Sequence, residues 1–295
     1  MNAANPIGVF DSGVGGLSVL HEIRRALPNE DLLYVADSAH APYGDKSQQF
    51  IEARSIAISE FLLSRQAKAI VVACNTATGA AVTTLRSRFS MPIIAMEPAV
   101  KPAVENTQSG VIGVLATSRT LASDNFVRLF ARYSEEVEIL GQACPGLVEQ
   151  VEAGDLSGDK TRLLLERYVL PLLEQRADTI VLGCTHYPFL APLIRQIAGP
   201  AVAVIDSAAA VARQLRRRLE VGHLLARQNA VDAEQAAAIE QSPGAGIPKA
   251  GTEFFWTSSE LDKAKPIVSQ LWKAGAEVCS LPLLPAGNVS KIPSL

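Results

Sequence analysis

The sequence predicts an α/β protein made of two similar domains, each a mostly parallel sheet flanked by helices. Short apolar runs alternate with longer amphipathic segments along its 295 residues, as is typical of strands covered by helices. The pattern starts again in the second part of the chain. Two matched apolar runs each end in a cysteine, Cys74 and Cys184, which lie 110 residues apart. A repeat of this length indicates an internal duplication of a domain rather than a solenoid.

The first half contains four short apolar runs that predict strands, at residues 7–10, 32–36, 70–73 and 93–96. Apolar side chains at helical spacing predict a helix over residues 14–27. Ser47 is suited to cap the next helix, which carries Ile58 and Leu62. A third helix, over residues 77–89, lies between the last two strands.

The second half repeats these landmarks. Residues 111–117 resemble residues 6–12, and Thr117 or Ser118 is suited to cap a helix whose apolar side chains extend to Tyr133. The other predicted elements are strands at residues 138–142, 180–183 and 201–206 and a helix at residues 160–175. We expect the two domains to face each other, with the active site in the cleft between them.

The last segment of the chain matches neither half. Its predicted elements are helices at residues 208–225, 232–241 and 263–273 and strands at residues 252–257 and 277–281. We expect this segment to complete the first domain. The first domain then comprises residues 1–98 and 207–295, and the second comprises residues 99–206.

Composition argues against several classes of function. A net charge of −3 gives no sign of the concentrated basic surface that nucleic acid would need, and the basic run at residues 216–218 is typical of a solvated helix face. No apolar stretch approaches the roughly 18 residues that span a bilayer, and the N-terminus lacks the features of a signal peptide. We therefore expect a cytoplasmic protein whose four cysteines are free thiols.

Polar clusters follow the predicted strands, at the edge of a parallel sheet where ligands bind. Asp11 and Ser12 begin a glycine-rich turn that opens a helix, and such a turn can bind a carboxylate or phosphate through its backbone N–H groups. The turn lacks the GxGxxG spacing of a dinucleotide site. A second cluster contains Asp37 and the turn Pro42-Tyr43-Gly44.

The two matched cysteines are the strongest candidates for chemistry. Cys74 is followed by Asn75 and Thr76, and Cys184 by Thr185 and His186. A zinc site is disfavoured because neither cysteine belongs to a CxxC pair. A redox disulfide is disfavoured in a reducing compartment, and a cysteine hydrolase would leave the second thiol without a role. Cys144 and Cys279 have no duplicated partner and are interpreted as structural thiols.

Two thiols suit the inversion of a carbon centre, in which one group removes a proton from one face and another delivers a proton to the opposite face. A free thiol is mostly protonated at neutral pH, so it needs assistance from a neighbour. His186 is placed to assist Cys184, and Asp11 to assist Cys74. Donors to the developing carbanion are available in Ser12, Asn75, Thr76 and Thr185.

Four segments resemble the signature blocks of bacterial glutamate racemases, in the family's order. They are Gly8 to Leu17, Tyr34 to Gly44, Ala73 to Ala77 and Leu182 to Pro188, and the similarity extends from about residue 6 to about residue 275. The resemblance implies two α/β domains and interconversion of L- and D-glutamate without a metal or other cofactor. It also implies a role in supplying D-glutamate for peptidoglycan, and a homodimer.

The same resemblance implies residue roles. Cys74 would act on the α-proton of D-glutamate and Cys184 on that of L-glutamate, with assistance from Asp11 and His186. The residues implied to hold the substrate are Ser12, Tyr43, Gly44, Asn75, Thr76, Thr117 and Thr185. Asp37 and Glu152 fall where the family carries acids.

Other functions stay open at this stage. Aspartate and hydantoin racemases share the two-cysteine arrangement, whereas related decarboxylases need only one of the two cysteines. A non-catalytic protein that binds an amino acid in the cleft and regulates a partner protein is a further alternative.

Overall fold

The computed structural model describes residues 2–226 and 250–284 and contains two parallel sheets. The strands of the first half are β1 (Ile7–Asp11), β2 (Leu32–Ala36), β3 (Ala69–Val72) and β4 (Ile93–Ala95), and those of the second are β5 (Val111–Ala116), β6 (Glu138–Ala143), β7 (Thr179–Leu182) and β8 (Ala203–Ile205). The last segment adds β9 (Glu253–Thr257) and β10 (Val278–Ser280). The predicted α/β class is thus confirmed.

The two sheets have the same topology. The strand order β2-β1-β3-β4 in the first sheet is repeated as β6-β5-β7-β8 in the second, and every pairing is parallel. The central strands β1 and β3 are buried along their whole length, as expected for a sheet covered on both faces. A shared order of four strands is what a duplicated domain predicts.

Helices cover both sheets. Their bounds are α1 (Leu17–Ala26), α2 (Gln48–Ser64), α3 (Asn75–Arg88), α4 (Val100–Asn106), α5 (Ser118–Leu121), α6 (Asp124–Tyr133), α7 (Leu147–Glu152), α8 (Asp159–Glu174), α9 (Ala191–Ala198), α10 (Ala208–Val221) and α11 (Leu261–Leu271). Ser47 caps α2 as predicted, since its side chain accepts a hydrogen bond from the N–H of Phe50. No helix in the described ranges is long and apolar enough to cross a membrane.

Glycines at matched positions let a helix approach each central strand. A Cβ added to Gly8 in β1 would lie 3.0 Å from Leu62 of α2. A Cβ added to Gly113 in β5 would lie 2.7 Å from Leu172 of α8. The two halves therefore share this close helix–strand packing as well as strand order.

The last segment extends the first sheet. Strand β9 pairs with β2, placing Phe255 beside Tyr34, and β10 pairs with β9 to give the order β10-β9-β2-β1-β3-β4. Helix α10 packs against α1. Strands β9 and β10 are thus part of the first sheet, and α10 lies against a helix of the first half. The helix predicted at residues 232–241 lies outside the described residues.

Two sequence predictions about helices are wrong in detail. Helix α1 begins at Leu17 and not at Val14, because the preceding residues form a turn whose N–H groups bind side chains. The helix expected to run from Thr117 to Tyr133 is two helices. Thr117 caps α5, and Ser123 caps α6 by accepting from the N–H of Phe126, so the second cap restarts the helix.

Candidate active site

The predicted site residues meet in one cavity between the two halves, at the carboxyl ends of the strands. Apart from Asp11, all of the residues predicted to act on or hold the substrate line this cavity, together with Pro42 and Val148. Its volume of about 10 Å³ is room for about one water molecule. The halves must therefore move apart to admit a larger ligand.

The first thiol lies at the junction of β3 and α3. Cys74 Sγ accepts a hydrogen bond from the N–H of Ala77 at 3.4 Å and reaches the hydroxyl of Ser12 at 3.7 Å. Ser12 in turn donates to Asp11 Oδ1 at 3.4 Å. We call this row, Cys74–Ser12–Asp11, the first relay. Burial, together with the negative charge of Asp11, raises the pKa of the Cys74 thiol well above its usual range.

The second thiol has a different set of partners. Cys184 Sγ lies 3.8 Å from Nδ1 of His186, and Nε2 of the same ring lies 2.6 Å from Glu152 Oε1. We call this row, Cys184–His186–Glu152, the second relay. Burial alone would lower the pKa of His186, but its contacts with Cys184 and Glu152 outweigh burial and raise it well above the usual value. The ring of His186 is therefore placed to exchange a proton with Cys184.

The glycine-rich turn after β1 joins the two halves. The N–H of Val14 donates to Glu152 Oε1 at 2.7 Å, and the N–H of Gly16 donates to Asp11 Oδ2 at 2.8 Å. We expected the N–H groups of this turn to bind the anion of a ligand, and for Val14 and Gly16 that expectation is wrong. The carboxylates that they bind are the protein's own.

Glycine is required at two places in this turn because side chains of the second half lie against it. A Cβ at position 13 would fall 1.8 Å from Glu152 Oε1, and one at position 15 would fall 2.2 Å from Nδ1 of His186. Any side chain at these positions would displace the second relay.

Asp11, the last member of the first relay, also lies beside the second relay. Its Oδ2 accepts from the hydroxyl of Thr185 at 3.3 Å and lies 4.0 Å from Nδ1 of His186. Burial raises the pKa of Asp11, and the positive charge of His186 opposes that rise. The carboxyl is thus placed to influence both thiols, which its position in the sequence did not reveal.

Hydroxyl groups join the halves on the other side of the cavity. Thr76 of the first half lies 3.0 Å from Thr117 and 3.2 Å from Thr120 of the second half, measured between hydroxyl oxygens. Beside them, the Asn75 side chain is buried with neither its oxygen nor its nitrogen hydrogen-bonded to the protein. Such an orphaned amide at a cavity wall is what a polar ligand would satisfy.

Tyr43 and Gly44 line the cavity, but the phenol has another partner. The Tyr43 hydroxyl donates to Asp37 Oδ2 at 2.7 Å, so its ring and backbone, rather than its hydroxyl, remain for a ligand. Gly44 packs against the second half, since a Cβ there would lie 3.1 Å from Thr117. Asp37 is fully buried and lies behind this turn.

A larger cavity and the other two cysteines are separate from the cavity that the two thiols line. A larger cavity of about 580 Å³ is lined by Arg86, Glu97, Ser207 and Arg218 among others, and contains no thiol. All four cysteines are free; Cys144 is buried and Cys279 is exposed. Within the described ranges, no group of three or more His, Cys, Asp or Glu side chains is placed to hold a metal ion.

Three contributors to the site were not predicted from the sequence. Thr120 faces Thr76 across the halves because it lies one helical turn after Thr117, a position that the Thr117 cap itself indicates. Val148 lines the cavity from α7, a short helix that was not among the predicted elements. Glu152, at the end of α7, was noted only as an acid, and its contact with His186 joins residues 34 positions apart.

Fold and site together define a class of enzyme. Two α/β halves with the same topology each present a thiol with acid/base partners to one cavity, as proton transfer at either face of one carbon requires. That class is the racemases, which are isomerases. The chain belongs to the Asp/Glu/Hydantoin racemase family, which it matches over residues 7–215.

Proteins named glutamate racemase are similar to this chain along nearly its whole length. A glutamate racemase of Methylococcus capsulatus is 54% identical over 278 residues, which cover 94% of this chain and 96% of the relative. The crystal structure of the glutamate racemase isoform RacE1 from Bacillus anthracis is similar with a TM-score of 0.81 at 30% identity, covering 96% of this chain and 99% of that one. The Escherichia coli glutamate racemase, in complex with L-glutamate, has a TM-score of 0.75 at 32% identity and covers 94% and 97%.

Proposed function

We propose that this protein interconverts L- and D-glutamate by transferring protons at the α-carbon between two cysteines, without a cofactor. The observation that carries the proposal is the pair of thiols at matched strand ends, each with its own relay, on one cavity. The relatives named glutamate racemase supply the choice of substrate.

In the proposed reaction, the thiolate of Cys184 takes the α-proton of L-glutamate as the C–H bond breaks. The electron pair moves into the α-carbon and its carboxylate, and the S–H of Cys74 gives its proton to the opposite face to form D-glutamate. Two observations support this direction: burial raises the pKa of Cys74 and so favours its S–H form, and the ring of His186 lies 3.8 Å from Cys184 as an acid/base partner. The reverse reaction starts from Cys74 as thiolate and Cys184 as thiol.

The polar residues of the cavity would bind the rest of the substrate. The orphaned amide of Asn75 and the hydroxyls of Thr76 and Thr117 can donate to the carboxylates of glutamate, and their oxygens can accept from its amine. Closure of the halves over the substrate would exclude water, consistent with a cavity that now has room for about one water molecule.

The proposal extends to the cellular role and the oligomeric state of the enzyme. We propose that the enzyme is cytoplasmic, supplies D-glutamate for peptidoglycan and acts as a homodimer. The assembly can be checked by light scattering on the purified protein, where a monomeric mass would contradict the dimer.

The proposal predicts loss of optical activity when purified protein is incubated with D-glutamate without pyridoxal phosphate, followed by circular dichroism. Cys74→Ser and Cys184→Ser should each reduce racemisation by at least about 100-fold, because each removes the acid/base group of one face. Cys279→Ser is the matched control, since that thiol is exposed and away from the cavity. Faster turnover of D-aspartate than of D-glutamate would contradict the choice of glutamate as substrate. Full activity in either cysteine variant would contradict proton transfer by two thiols.

A further inference from the structure

The turn Pro42-Tyr43-Gly44, which lines the cavity, is held from behind by a buried carboxylate. Asp37, the residue after β2, is fully buried and accepts a 2.7 Å hydrogen bond from the Tyr43 hydroxyl. It also lies 3.0 Å from Nδ1 of His40. The position of the turn therefore depends on where this one carboxylate is fixed.

Arg54 fixes that carboxylate with two hydrogen bonds. Its Nε donates to Oδ2 of Asp37 at 2.9 Å and its Nη2 donates to Oδ1 at 2.7 Å, a paired geometry that only a guanidinium provides. The Arg54 side chain is 17% exposed and that of Asp37 is fully buried, so solvent screens the pair little. Burial would raise the pKa of Asp37, but Arg54 and Tyr43 outweigh it and hold the pKa below its usual value.

The arginine belongs to a rigid element. Helix α2 has 17 residues, packs against α3 and begins at the Ser47 cap. Phe50, one helical turn before Arg54, also supports the turn, with its ring 6.4 Å from that of Tyr43 and 5.5 Å from that of His40, measured between centroids. Helix α2 thus contacts the cavity turn through both a charge pair and an aromatic face.

We infer that Arg54 is a positioning residue for catalysis: through Asp37 and Tyr43 it fixes the turn at residues 42–44 against the substrate site. This inference rests on the proposed racemisation of glutamate, because the turn is taken to contact that substrate. Arg54 itself does not line the cavity. Its effect is on binding geometry, which the bound substrate and the transition state share.

The test compares Arg54→Gln, Arg54→Lys and Glu60→Gln in the full chain. Glu60 is the matched control, since it also lies on α2 and forms an ion pair, 2.6 Å from Arg88, but far along the helix from the turn. Arg54→Gln should raise KM for both enantiomers by about 10- to 100-fold with a smaller change in kcat, because a displaced contact surface weakens ground state and transition state alike. Arg54→Lys should give an intermediate KM, since an ammonium keeps the charge without the paired geometry.

A double variant separates positioning from loss of fold. Asp37→Asn combined with Arg54→Gln should regain much of the folding stability that Arg54→Gln loses, because it removes the buried charge left without its partner, while KM should stay raised because the paired anchor is still absent. If Arg54→Gln does not fold, Arg54→Lys and the double variant decide the matter in the same assay. A KM within about twofold of wild type in the folded variants, or an equal rise in Glu60→Gln, overturns the inference.

Hydrogen exchange provides a readout that does not need activity. Peptides that cover residues 41–46 should exchange faster in Arg54→Gln than in wild type or Glu60→Gln, because the turn has lost its anchor. Unchanged exchange in these peptides overturns the inference. A wild-type protein that does not racemise glutamate overturns the proposed function instead, and the exchange result still decides whether Arg54 holds the turn.

Discussion

At the scale of single residues, the two thiols occupy matched positions but have unequal partners. Cys74 contacts the hydroxyl of Ser12, which in turn contacts the carboxyl of Asp11. Cys184 instead contacts the imidazole of His186, which contacts the carboxyl of Glu152. A hydroxyl only passes a hydrogen bond, while an imidazolium brings a positive charge beside the sulfur. The site is therefore symmetric in layout and asymmetric in acid/base support, which suits an enzyme that handles two mirror-image substrates.

Replacement of Glu152 tests that support at the residue scale. The pKa of His186 lies above its usual value partly because of the Glu152 carboxylate, so Glu152→Gln should lower it and the imidazolium should lose its proton at lower pH. The alkaline limb of kcat/KM for L-glutamate should then move to lower pH. Glu149→Gln, an exposed change on the same helix, is the control. A pH profile that Glu152→Gln leaves unmoved would show that His186 is not held charged by this carboxylate.

At the scale of elements, each central strand that leads to a thiol begins next to a charged anchor residue, which is fully buried before β3 and half-buried before β7. Lys68, before β3, is fully buried and binds Glu30 and the carbonyl of Ala3, each at 2.5 Å. Asp178, at the matched position before β7, accepts from the N–H groups of Gln108 and Ser109, both at 2.7 Å. The anchors have opposite charge, yet both tie the start of the strand to a neighbouring segment and so fix where its thiol end lies.

The Asp178 anchor predicts a pH-dependent stability. Burial would raise the pKa of Asp178, but the hydrogen bonds from Thr107, Ser109 and Gln108 lower it from 3.8 to about 2. Because the folded-state pKa is the lower one, its contribution is present above about pH 4 and is lost as the pH falls through about 2. Asp178→Asn should reduce the free energy of unfolding by about 1 to 3 kcal/mol at pH 7.

Urea unfolding of wild type and variant across pH measures this contribution, with the exposed Glu135→Gln as control. The difference between Asp178→Asn and wild type should stay constant above about pH 5 and shrink between about pH 4 and pH 2. A difference that is the same at pH 3 and pH 7 would mean that the ionised carboxylate is not what holds the loop.

At the scale of the whole molecule, the cavity is formed by contacts between halves that are far apart in sequence. Helix α7 of the second half brings Glu152 to the turn after β1, and the Thr76 hydroxyl meets those of Thr117 and Thr120 on the opposite side. Ser18 adds a third link, donating to the carbonyl of Thr185 at 2.9 Å. These links hold the halves close around a cavity with room for about one water, so opening must break several of them together.

The sequence could predict the parts of this arrangement that depend on local pattern or on the duplication. The spacing of apolar residues predicted the strands and most of the helices. The duplication predicted the position of both cysteines, because a thiol that follows an apolar run lies at the carboxyl end of a strand. The partners of the turn after β1 could not be predicted, because Val14 and Gly16 bind carboxylates selected by tertiary packing. The contact of Arg54 with Asp37 could not be predicted for the same reason, because nothing near Arg54 in the sequence indicates a buried partner 17 residues away.

The central claim, proton transfer between two thiols on opposite faces, is tested most directly by isotope distribution in deuterated water at low conversion. With D-glutamate as substrate, two thiols predict that the L-glutamate formed carries solvent deuterium at the α-carbon while the remaining D-glutamate keeps its proton. Mass spectrometry after chiral separation measures both pools. L-glutamate that retains the original α-proton, as a single acid/base group would return it, would contradict the account.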